Sequence, residues 1–227
     1  MRLVLWGSLI NALAILAGAL LGVSFKMREE IRVTVMQGLG LAVLVIGIKM
    51  GLASENILIP IASMVVGGML GECIHIEHRL AMVGNWLERI HKAKDGKGLT
   101  QGFLTASLVY CVGAMAVLGA LDSGLQGSHD ILYAKSMLDG VSAIFFASSF
   151  GIGVAFSAVA VFLYQGIIAL LANSLAPLFH PSAISEMTST GGMLIIGIGI
   201  NVLGLAKVSV GNLLPALVIA VVLSIFF

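Results

Sequence analysis

The feature that most constrains this chain is a long stretch without charge: no Asp, Glu, Lys or Arg occurs between Asp139 and Glu186. A single helix from Leu138 to Ala172 would be roughly 52 Å long at about 1.5 Å per residue, whereas the hydrocarbon core of a bilayer is about 30 Å thick. We therefore expect this stretch to lie in a membrane and to break, rather than to form one straight span.

Small residues indicate where the break falls. Four of them lie at the centre of the stretch: Ser148, Ser149, Gly151 and Gly153. Glycine and small polar residues weaken a helix at such a point. Non-helical backbone at membrane depth is tolerated only where protein or a water-filled cavity satisfies its N–H and C=O groups. The pattern predicts a helix broken near 148–153 that lines a substrate or ion site.

Composition places the rest of the chain in the same class. Hydrophobic residues make up 59% of the sequence and charged residues 10%, and several further apolar runs are long enough to cross a bilayer. The predicted fold is all-α, a polytopic transmembrane helical bundle of about seven to eight spans. The predicted spans cover residues 3–24, 34–53, 57–72, 102–121, one or two passes within 138–172, 187–205 and 213–227.

An internal repeat relates some of these spans. The segment 38–49 aligns with 190–201, pairing Gly40 with Gly192 and Gly47 with Gly199. Weaker matches pair 11–15 with 157–161 and 56–60 with 212–215. With eight spans, the matched segments cross in opposite directions. Such inverted repeats are typical of secondary transporters, whose sites lie near the midplane at the repeat interface.

The repeat suggests a single integral membrane domain over residues 1–227. Its predicted parts are repeat one (about 3–73), an amphipathic connector (about 74–101), a fourth span with an outer loop (about 102–137) and repeat two (about 138–227). Basic residues concentrate in two loops that two crossings separate: Lys26, Arg28, Arg32, Arg79, Arg89, Lys92, Lys94 and Lys97. Since basic loops remain on the cytoplasmic side, the connector is predicted to be cytoplasmic.

The candidate site residues are polar groups inside apolar spans. Asn11, Ser157, Gln165 and Asn201 either coordinate a solute or form hydrogen bonds between helices. Asp139 and Lys135 are four residues apart, which fits either a surface pair at a helix start or an Asp139 that faces a cavity as a cation or proton site.

Two further features have alternative interpretations. Lys49 lies near a span end, where it either reaches the interface or provides a counter-charge for an anion. Residues 188–192, including Gly191 and Gly192, either open a half-helix whose amide groups attract an anion or cap a helix in the ordinary way.

Metal binding and catalysis find little support. Glu72, His75 and His78 follow one another at helical spacing, but an interfacial helix ordinarily carries such residues, and no second ligand pair stands at a strong spacing. No nucleophile has a nearby base. We therefore predict no metal, no cofactor and no enzymatic activity. The net charge of +1 gives no indication of a nucleic-acid partner.

Several motifs carry a family resemblance: GLQG at 124–127, AKSMLDG at 134–140, ASSFGIGVAFS at 147–157, YQG at 164–166 and NLLPAL from 212. Together with INALAILAGALLG near the start, they extend over nearly the whole chain. The sequence resembles the uncharacterised bacterial inner-membrane family called domain of unknown function 554. The resemblance implies an integral protein of the bacterial inner membrane and transfers no site residues.

Two hypotheses of function remain. The first is a secondary transporter of a small polar or charged solute, coupled to H⁺ or Na⁺, with a midplane site between the two repeats. The alternative is a membrane scaffold or regulator that does not transport. It would use faces of small residues for assembly, such as the G-x-x-x-G face that Gly18 and Gly22 form on the first span. The expected partners are the lipid bilayer and a small molecule or ion, and the small-residue faces also permit a homodimer.

Overall fold

A computed structural model describes residues 4–24, 29–79, 82 and 96–226. Regular secondary structure in these ranges is helical throughout, which confirms the predicted all-α class. The helices are α1 (Trp6–Ser24), α2 (Glu29–Gly51), α3 (Leu58–Ile74), α4 (Gly96–Cys111), α5 (Ala114–Leu125), α6 (Asp130–Phe150), α7 (Gly153–Leu170), α8 (Ala172–Leu175), α9 (Pro181–Val202) and α10 (Pro215–Leu223), with a 3₁₀ turn at Val210–Leu213.

The helix lengths identify a membrane protein. Within the described ranges, α1, α6, α7, α9 and the Val33–Gly51 part of α2 are long and apolar enough to cross a bilayer. The bent pair Leu99–Cys111 and Met115–Leu125 adds a sixth span if it crosses as one unit. The predicted count of seven to eight requires the shorter helices Leu58–Ile74 and Val210–Leu223 to cross as well. That count stays a prediction.

Contacts group the helices into two compact units that interleave along the sequence. The first unit contains α1 and α4 to α8, and the second contains α2, α3, α9, the 3₁₀ turn and α10. Each unit therefore combines two segments that are separated in the sequence.

The break predicted in the uncharged stretch is confirmed. Helix α6 ends at Phe150 and α7 begins at Gly153. Gly151 between them has φ +77°, a left-handed conformation that glycine adopts without steric cost. The two helices contain 21 and 18 residues, about 32 and 27 Å at 1.5 Å per residue. The break thus lies between two helices that are each of crossing length, which favours two passes through 138–172 over the single pass also considered.

Contacts in the first unit show that α6 and α7 fold back on each other. Gly22, near the end of α1, packs on Ile144 and Ala147 near the end of α6. Gly166, near the end of α7, approaches Leu5 at the other end of α1. Helix α1 therefore runs parallel to α6 and antiparallel to α7.

Close backbone packing fixes the α1–α6 pair. A Cβ atom added at Gly18 would overlap the carbonyl of Gly140, and one added at Gly22 would overlap the carbonyl of Ile144. Glycines four residues apart allow two helices to approach this closely. The G-x-x-x-G face predicted from the sequence is therefore used inside the first unit.

The second unit is built from antiparallel pairs. In the α2–α9 pair, Gly47 packs against Gly192, and Gly199 packs against Leu44 and the Gly40 carbonyl. In the α3–α10 pair, Gly67 packs against Ala216, while Gly71 packs against Asn212, which precedes α10. Glycine again permits the close approach of backbones.

The structure differs from the sequence prediction in the outer loop expected after the span 102–121. Helix α5 continues to Leu125 and α6 already begins at Asp130, which leaves a loop of residues 126–129. The Ser123 hydroxyl lies 2.9 Å from His129 Nδ1, and Gly127 turns with φ +66°. An acidic residue such as Asp130 is favourable in a first helical turn, where the helix dipole is positive.

Two further boundaries differ. Helix α9 begins six residues before the predicted span 187–205, at Pro181, whose missing N–H is not needed in the first helical position. His180 caps this helix end by accepting a hydrogen bond from the Ala183 N–H at 3.2 Å. The predicted span 102–121 is not straight, because Gly113 with φ +137° separates α4 from α5 and the axis bends by 60°.

The predicted amphipathic connector lies mostly outside the described residues. Its described part includes a turn of helix at 76–79 after His75, which has φ +56° and ends α3. At its other end, Gly96 begins α4.

Candidate functional site

Asp139 lies near the middle of α6, nine residues after its first residue and eleven before its last. These separations are roughly 14 and 17 Å at 1.5 Å per residue. Its side chain is buried, with 5% of the residue exposed. The interpretation as a surface pair at a helix start is therefore wrong, because α6 starts at Asp130 and the carboxylate is inside the first unit.

Lys135 neutralises this carboxylate from one turn earlier in α6. Its Nζ atom lies 3.0 Å from Asp139 Oδ1 and 2.8 Å from Oδ2, so the ammonium bridges both oxygens. Lys135 is also buried, at 7% exposure. The i, i+4 spacing that the sequence displays thus forms an internal ion pair, which is costly to bury and survives only with good geometry and further hydrogen bonds.

Two amide side chains from other helices complete the arrangement. Asn11 of α1 donates through Nδ2 to Asp139 Oδ2 at 3.1 Å and to Gln165 Oε1 of α7 at 3.4 Å. Neither Asn11 nor Gln165 has exposed surface. Asn11, Lys135, Asp139 and Gln165 are called the Asp139 cluster below. Three of these four were predicted as site residues, and Lys135 was recognised only as the neighbour of Asp139.

Two polar atoms of the cluster, and a third on α1 close to Asn11 in sequence, have no hydrogen-bond partner among the described residues. They are Asn11 Oδ1, Gln165 Nε2 and Ser8 Oγ, the last one helical turn before Asn11 on the same side of α1. All three side chains have 0% exposure. A buried polar atom without a partner costs about 1–3 kcal/mol. Ser8 was missed from the sequence, although its spacing of three residues from Asn11 was the available signal.

Helix α4 approaches the cluster through Tyr110. The Ser142 hydroxyl lies 3.0 Å from the main-chain oxygen of Asp139 and 3.3 Å from the Tyr110 hydroxyl. Tyr110 is completely buried. Polar groups of α1, α4, α6 and α7 therefore meet around the middle of α6.

Other predicted site residues of the first unit make local contacts. Ser148 donates to the carbonyl of Phe145 at 2.7 Å, and Ser157 donates to that of Val154 at 2.6 Å. Ser149 is buried in the last turn of α6. Serine bonds of this kind satisfy the hydroxyl within its own helix.

Four predicted residues lie in the second unit. Lys49 is exposed in the last turn of α2, the end of a helix that favours a cation. Gly191 and Gly192 lie inside α9, which began at Pro181. The expected helix start at 188–192 is therefore wrong, and a half-helix anion site there would lack its free amide groups. Asn201 bonds to both main-chain groups of Val208, at 2.7 and 2.8 Å.

The second unit contains a buried carboxylate that was missed from the sequence. Glu186 of α9 has no exposed surface and accepts hydrogen bonds from Ser54 Oγ at 2.6 Å and from the N–H groups of Glu55 and Asn56, both at 2.9 Å. These residues immediately precede α3, so the carboxylate occupies the positive end of a helix. A single acidic residue at the start of an apolar run was the only signal.

The three residues that were considered for a metal site, and rejected, do not belong to one continuous helix. His75 ends α3, so Glu72, His75 and His78 do not continue along one helical face. The Glu72 carboxylate accepts a hydrogen bond from Asn212 Nδ2, and that of Glu77 accepts one from the Gly211 N–H at 2.6 Å. Among the described residues, no three His, Cys, Asp or Glu side chains form a metal-binding group.

Comparison with known proteins assigns the family. Residues 6–225 match the family model described as a protein of unknown function, DUF554. The chain belongs to this family. The DUF554 match includes every helix named above.

Two curated relatives share nearly the full length of this DUF554 chain. It is 33% identical over 221 residues to "Uncharacterized membrane protein YdfK" of Bacillus subtilis, which covers 95% of this chain and 93% of that protein. It is 31% identical over 224 residues to "Uncharacterized protein YqgA" of Escherichia coli, with coverages of 96% and 95%. No solved structure gives a significant match.

The two units of this DUF554 protein offer different chemistry. The Asp139 cluster brings a cation, an anion and two amides from three helices of crossing length together at a carboxylate near the middle of α6. Such a group can exchange protons or cations and can offer hydrogen bonds to a solute. Glu186 instead has its hydrogen bonds filled by the start of α3. The Asp139 cluster is therefore the candidate functional site.

Proposed function

We propose that this protein is a secondary transporter of a small polar or charged solute, coupled to H⁺ or Na⁺, with its site at the Asp139 cluster between α1 and α7. The observation that carries the proposal is the buried Lys135–Asp139 pair at the middle of α6. Ionisable residues inside membrane helices are costly, and they mark ion pathways, proton relays and substrate sites.

A contribution to stability does not explain why this ion pair is present. Replacement of a buried ion pair by apolar residues of similar volume is often neutral or stabilising. The unpartnered atoms of Asn11 and Gln165 add a further cost. The arrangement therefore favours a functional role over a stabilising one, and ion pathways, proton relays and substrate sites are among the roles of such residues in membranes.

The helix pairs supply a second line of support. The sequence repeat matches α2 with α9, and these two helices pack antiparallel in the second unit. The pairing is crosswise: Gly40 and Gly199 are in contact, as are Gly47 and Gly192, whereas the alignment matches Gly40 with Gly192. A local two-fold axis between two inverted copies produces this relationship, and inverted repeats are frequent in secondary transporters. We include the inverted repeat in the proposal.

The weaker repeat match, between 11–15 and 157–161, also joins two antiparallel helices. Asn11 belongs to α1 and Ser157 to α7, and these helices are antiparallel in the first unit. Gln165 of α7 is in contact with Asn11. The proposed site thus lies at a junction of repeat-related helices, where transporters bind their substrates. We further propose that the protein resides in the bacterial inner membrane with residues 74–101 on the cytoplasmic side.

The test is a transport measurement on purified protein in proteoliposomes. Solid-supported membrane electrophysiology would record currents after jumps of pH, Na⁺, amino acids, carboxylates, sugars and neutral amides. The decisive variant is the double substitution Lys135→Met/Asp139→Asn, which removes both charges together and leaves no unpaired ion. Lys49→Met is the matched control, because Lys49 is exposed at a helix end.

We expect a solute-dependent current in the native protein and in Lys49→Met, and none in the double variant. If no solute or ion gradient gives a protein-dependent signal, transport is the wrong function and the scaffold hypothesis takes its place. An equal current in the double variant would separate transport from the Asp139 cluster.

A further inference from the structure

We infer that the solute bound at the Asp139 cluster is an uncharged molecule with a hydrogen-bond donor and an acceptor side by side, such as a primary carboxamide or urea. The inference rests on the proposed function and deepens it by naming a substrate class. It follows from which polar atoms of the cluster already form hydrogen bonds and which have no partner among the described residues.

The charges of the cluster already cancel. Lys135 Nζ contacts both oxygens of Asp139, at 3.0 and 2.8 Å. A charged solute would have to displace one partner and leave the other as an unpaired buried ion, which costs several kcal/mol. An uncharged solute needs no such displacement.

The orientation of the two amides follows from the carboxylate. Asp139 Oδ2 can only accept, so the Asn11 group that faces it at 3.1 Å must be the donating Nδ2. The same Nδ2 faces Gln165 at 3.4 Å, so Gln165 must turn its accepting Oε1 toward it. The ion pair therefore fixes the donor and acceptor pattern of both amides.

The free atoms form the complement of an amide. Asn11 Oδ1 is left as an acceptor and Gln165 Nε2 as a donor, and neither has a partner among the described residues. Within each amide the O and N atoms are about 2.3 Å apart, so the two free atoms are at most about 8 Å apart. A primary carboxamide with hydrogen bonds of about 2.9 Å at each end spans up to a similar length.

Ser8 extends the pattern on the same face of α1. Its Oγ atom also lacks a partner among the described residues and can donate or accept. Since all three side chains have no exposed surface, a solute reaches them only when α1 and α7 separate. The alternating opening of a transporter between repeat-related helices provides this motion.

The pattern predicts how related small molecules rank. Acetamide offers both a donor and an acceptor, whereas N,N-dimethylacetamide has the same acceptor without a donor. Acetate and methylammonium carry a charge. A site with a buried acceptor rejects an analogue that leaves this acceptor unpaired. We expect acetamide and urea to bind at least about tenfold more tightly than the other three molecules.

Saturation-transfer NMR on the full-length protein in nanodiscs measures this ranking without any transport step. The variant is Gln165→Met, which removes the free donor and does not touch Asp139. Gln37→Met is the matched control, because Gln37 is an exposed glutamine in α2. Acetamide affinity should fall about tenfold in Gln165→Met and remain unchanged in Gln37→Met. Ser8→Ala should reduce it by a smaller factor.

The results that overturn the inference are specific. They are equal binding of acetamide and N,N-dimethylacetamide, tighter binding of acetate or methylammonium, binding insensitive to Gln165→Met, or no binding of any amide. Thermal unfolding of each variant shows whether it is folded, and Asn11→Leu offers a second variant should Gln165→Met be unstable. If an ion or a charged solute gives a current but no amide binds, this inference is wrong and the proposed function remains intact. Amide binding without any current would overturn the proposed function and leave this inference about the ligand intact.

Discussion

The two units bury carboxylates in different ways. In the first unit, Asp139 faces side chains from three helices: Lys135, Asn11 and, through Asn11, Gln165. In the second unit, Glu186 faces the start of α3 and accepts from two main-chain N–H groups and one hydroxyl.

This difference separates a functional candidate from a structural one. Side-chain partners can move apart by rotation, and the cluster around Asp139 retains unpartnered atoms for a solute. Main-chain partners at a helix end are fixed by the fold, so Glu186 joins α9 to the α2–α3 connection. The comparison predicts that the Asp139 pair affects activity, whereas Glu186 affects stability.

The largest effect is expected from the double variant Lys135→Met/Asp139→Asn. It should abolish transport and change the free energy of unfolding by no more than about 1 kcal/mol, because paired charges are removed together. Proteoliposome currents and thermal unfolding in detergent measure the two quantities. If the double variant loses much of its stability but keeps its transport activity, the Asp139 pair is structural and the comparison between the units is wrong.

Glu186→Ala should have the opposite signature. It leaves Ser54 Oγ and the N–H groups of Glu55 and Asn56 without their acceptor, at a cost of about 3–5 kcal/mol. Transport per folded molecule should remain close to native. Glu186→Gln keeps one accepting oxygen and should cost less than half as much. Chemical denaturation in detergent measures the free energy of unfolding. If the Glu186→Ala protein has native stability, the carboxylate does not stabilise the contact between α9 and the α2–α3 connection.

Glycine packing in the second unit gives an intermediate effect. A Cβ added at Gly47 would lie 2.8 Å from the Gly192 carbonyl and from Ile196, whereas one at Gly38 in the same helix meets no atom within 4 Å. Gly47→Ala should therefore cost about 1–3 kcal/mol. Gly38→Ala should be neutral or stabilise by up to about 1 kcal/mol. Equal unfolding temperatures for the two variants would contradict the close α2–α9 contact.

The smallest effect is expected from Ser148→Ala. Its hydroxyl bonds to the Phe145 carbonyl of the same helix, so its loss should alter stability by about 0.5 kcal/mol or less and leave the solute current within twofold of native. A current reduced tenfold or more would extend the site from the Asp139 cluster to the end of α6.

Prediction from sequence succeeded where the signal was local. The apolar runs identified a helical membrane protein, and the small residues at 148–153 located the turn between α6 and α7. Polar residues inside apolar runs identified Asn11, Asp139 and Gln165 as candidates. The sequence did not predict that a helix of full crossing length precedes the break. This helix, α6, begins at Asp130, within a segment that the sequence presents as a polar loop.

Hydrogen-bond partners that are distant in the sequence could not be predicted from local patterns. Asn11 meets Asp139 across 128 positions and Gln165 across 154, and Glu186 meets Asn56 across 130. No local pattern encodes these pairs. They depend on which helices pack together, and that choice follows from glycine faces such as Gly18 and Gly22 against α6.

The sequence by itself determined the class of the protein, the apolar segments that form most of its helices, and the small set of polar residues within them, which are costly in a membrane interior. These follow from hydropathy and helix propensity, which act over a few turns of chain. Only the tertiary structure decided that Lys135 and Asp139 form an internal pair rather than a surface pair, that Asn11 and Gln165 join them, and that Glu186 binds the start of α3. Burial and hydrogen-bond partners are properties of packed helices, and packing brings together residues that the sequence keeps far apart.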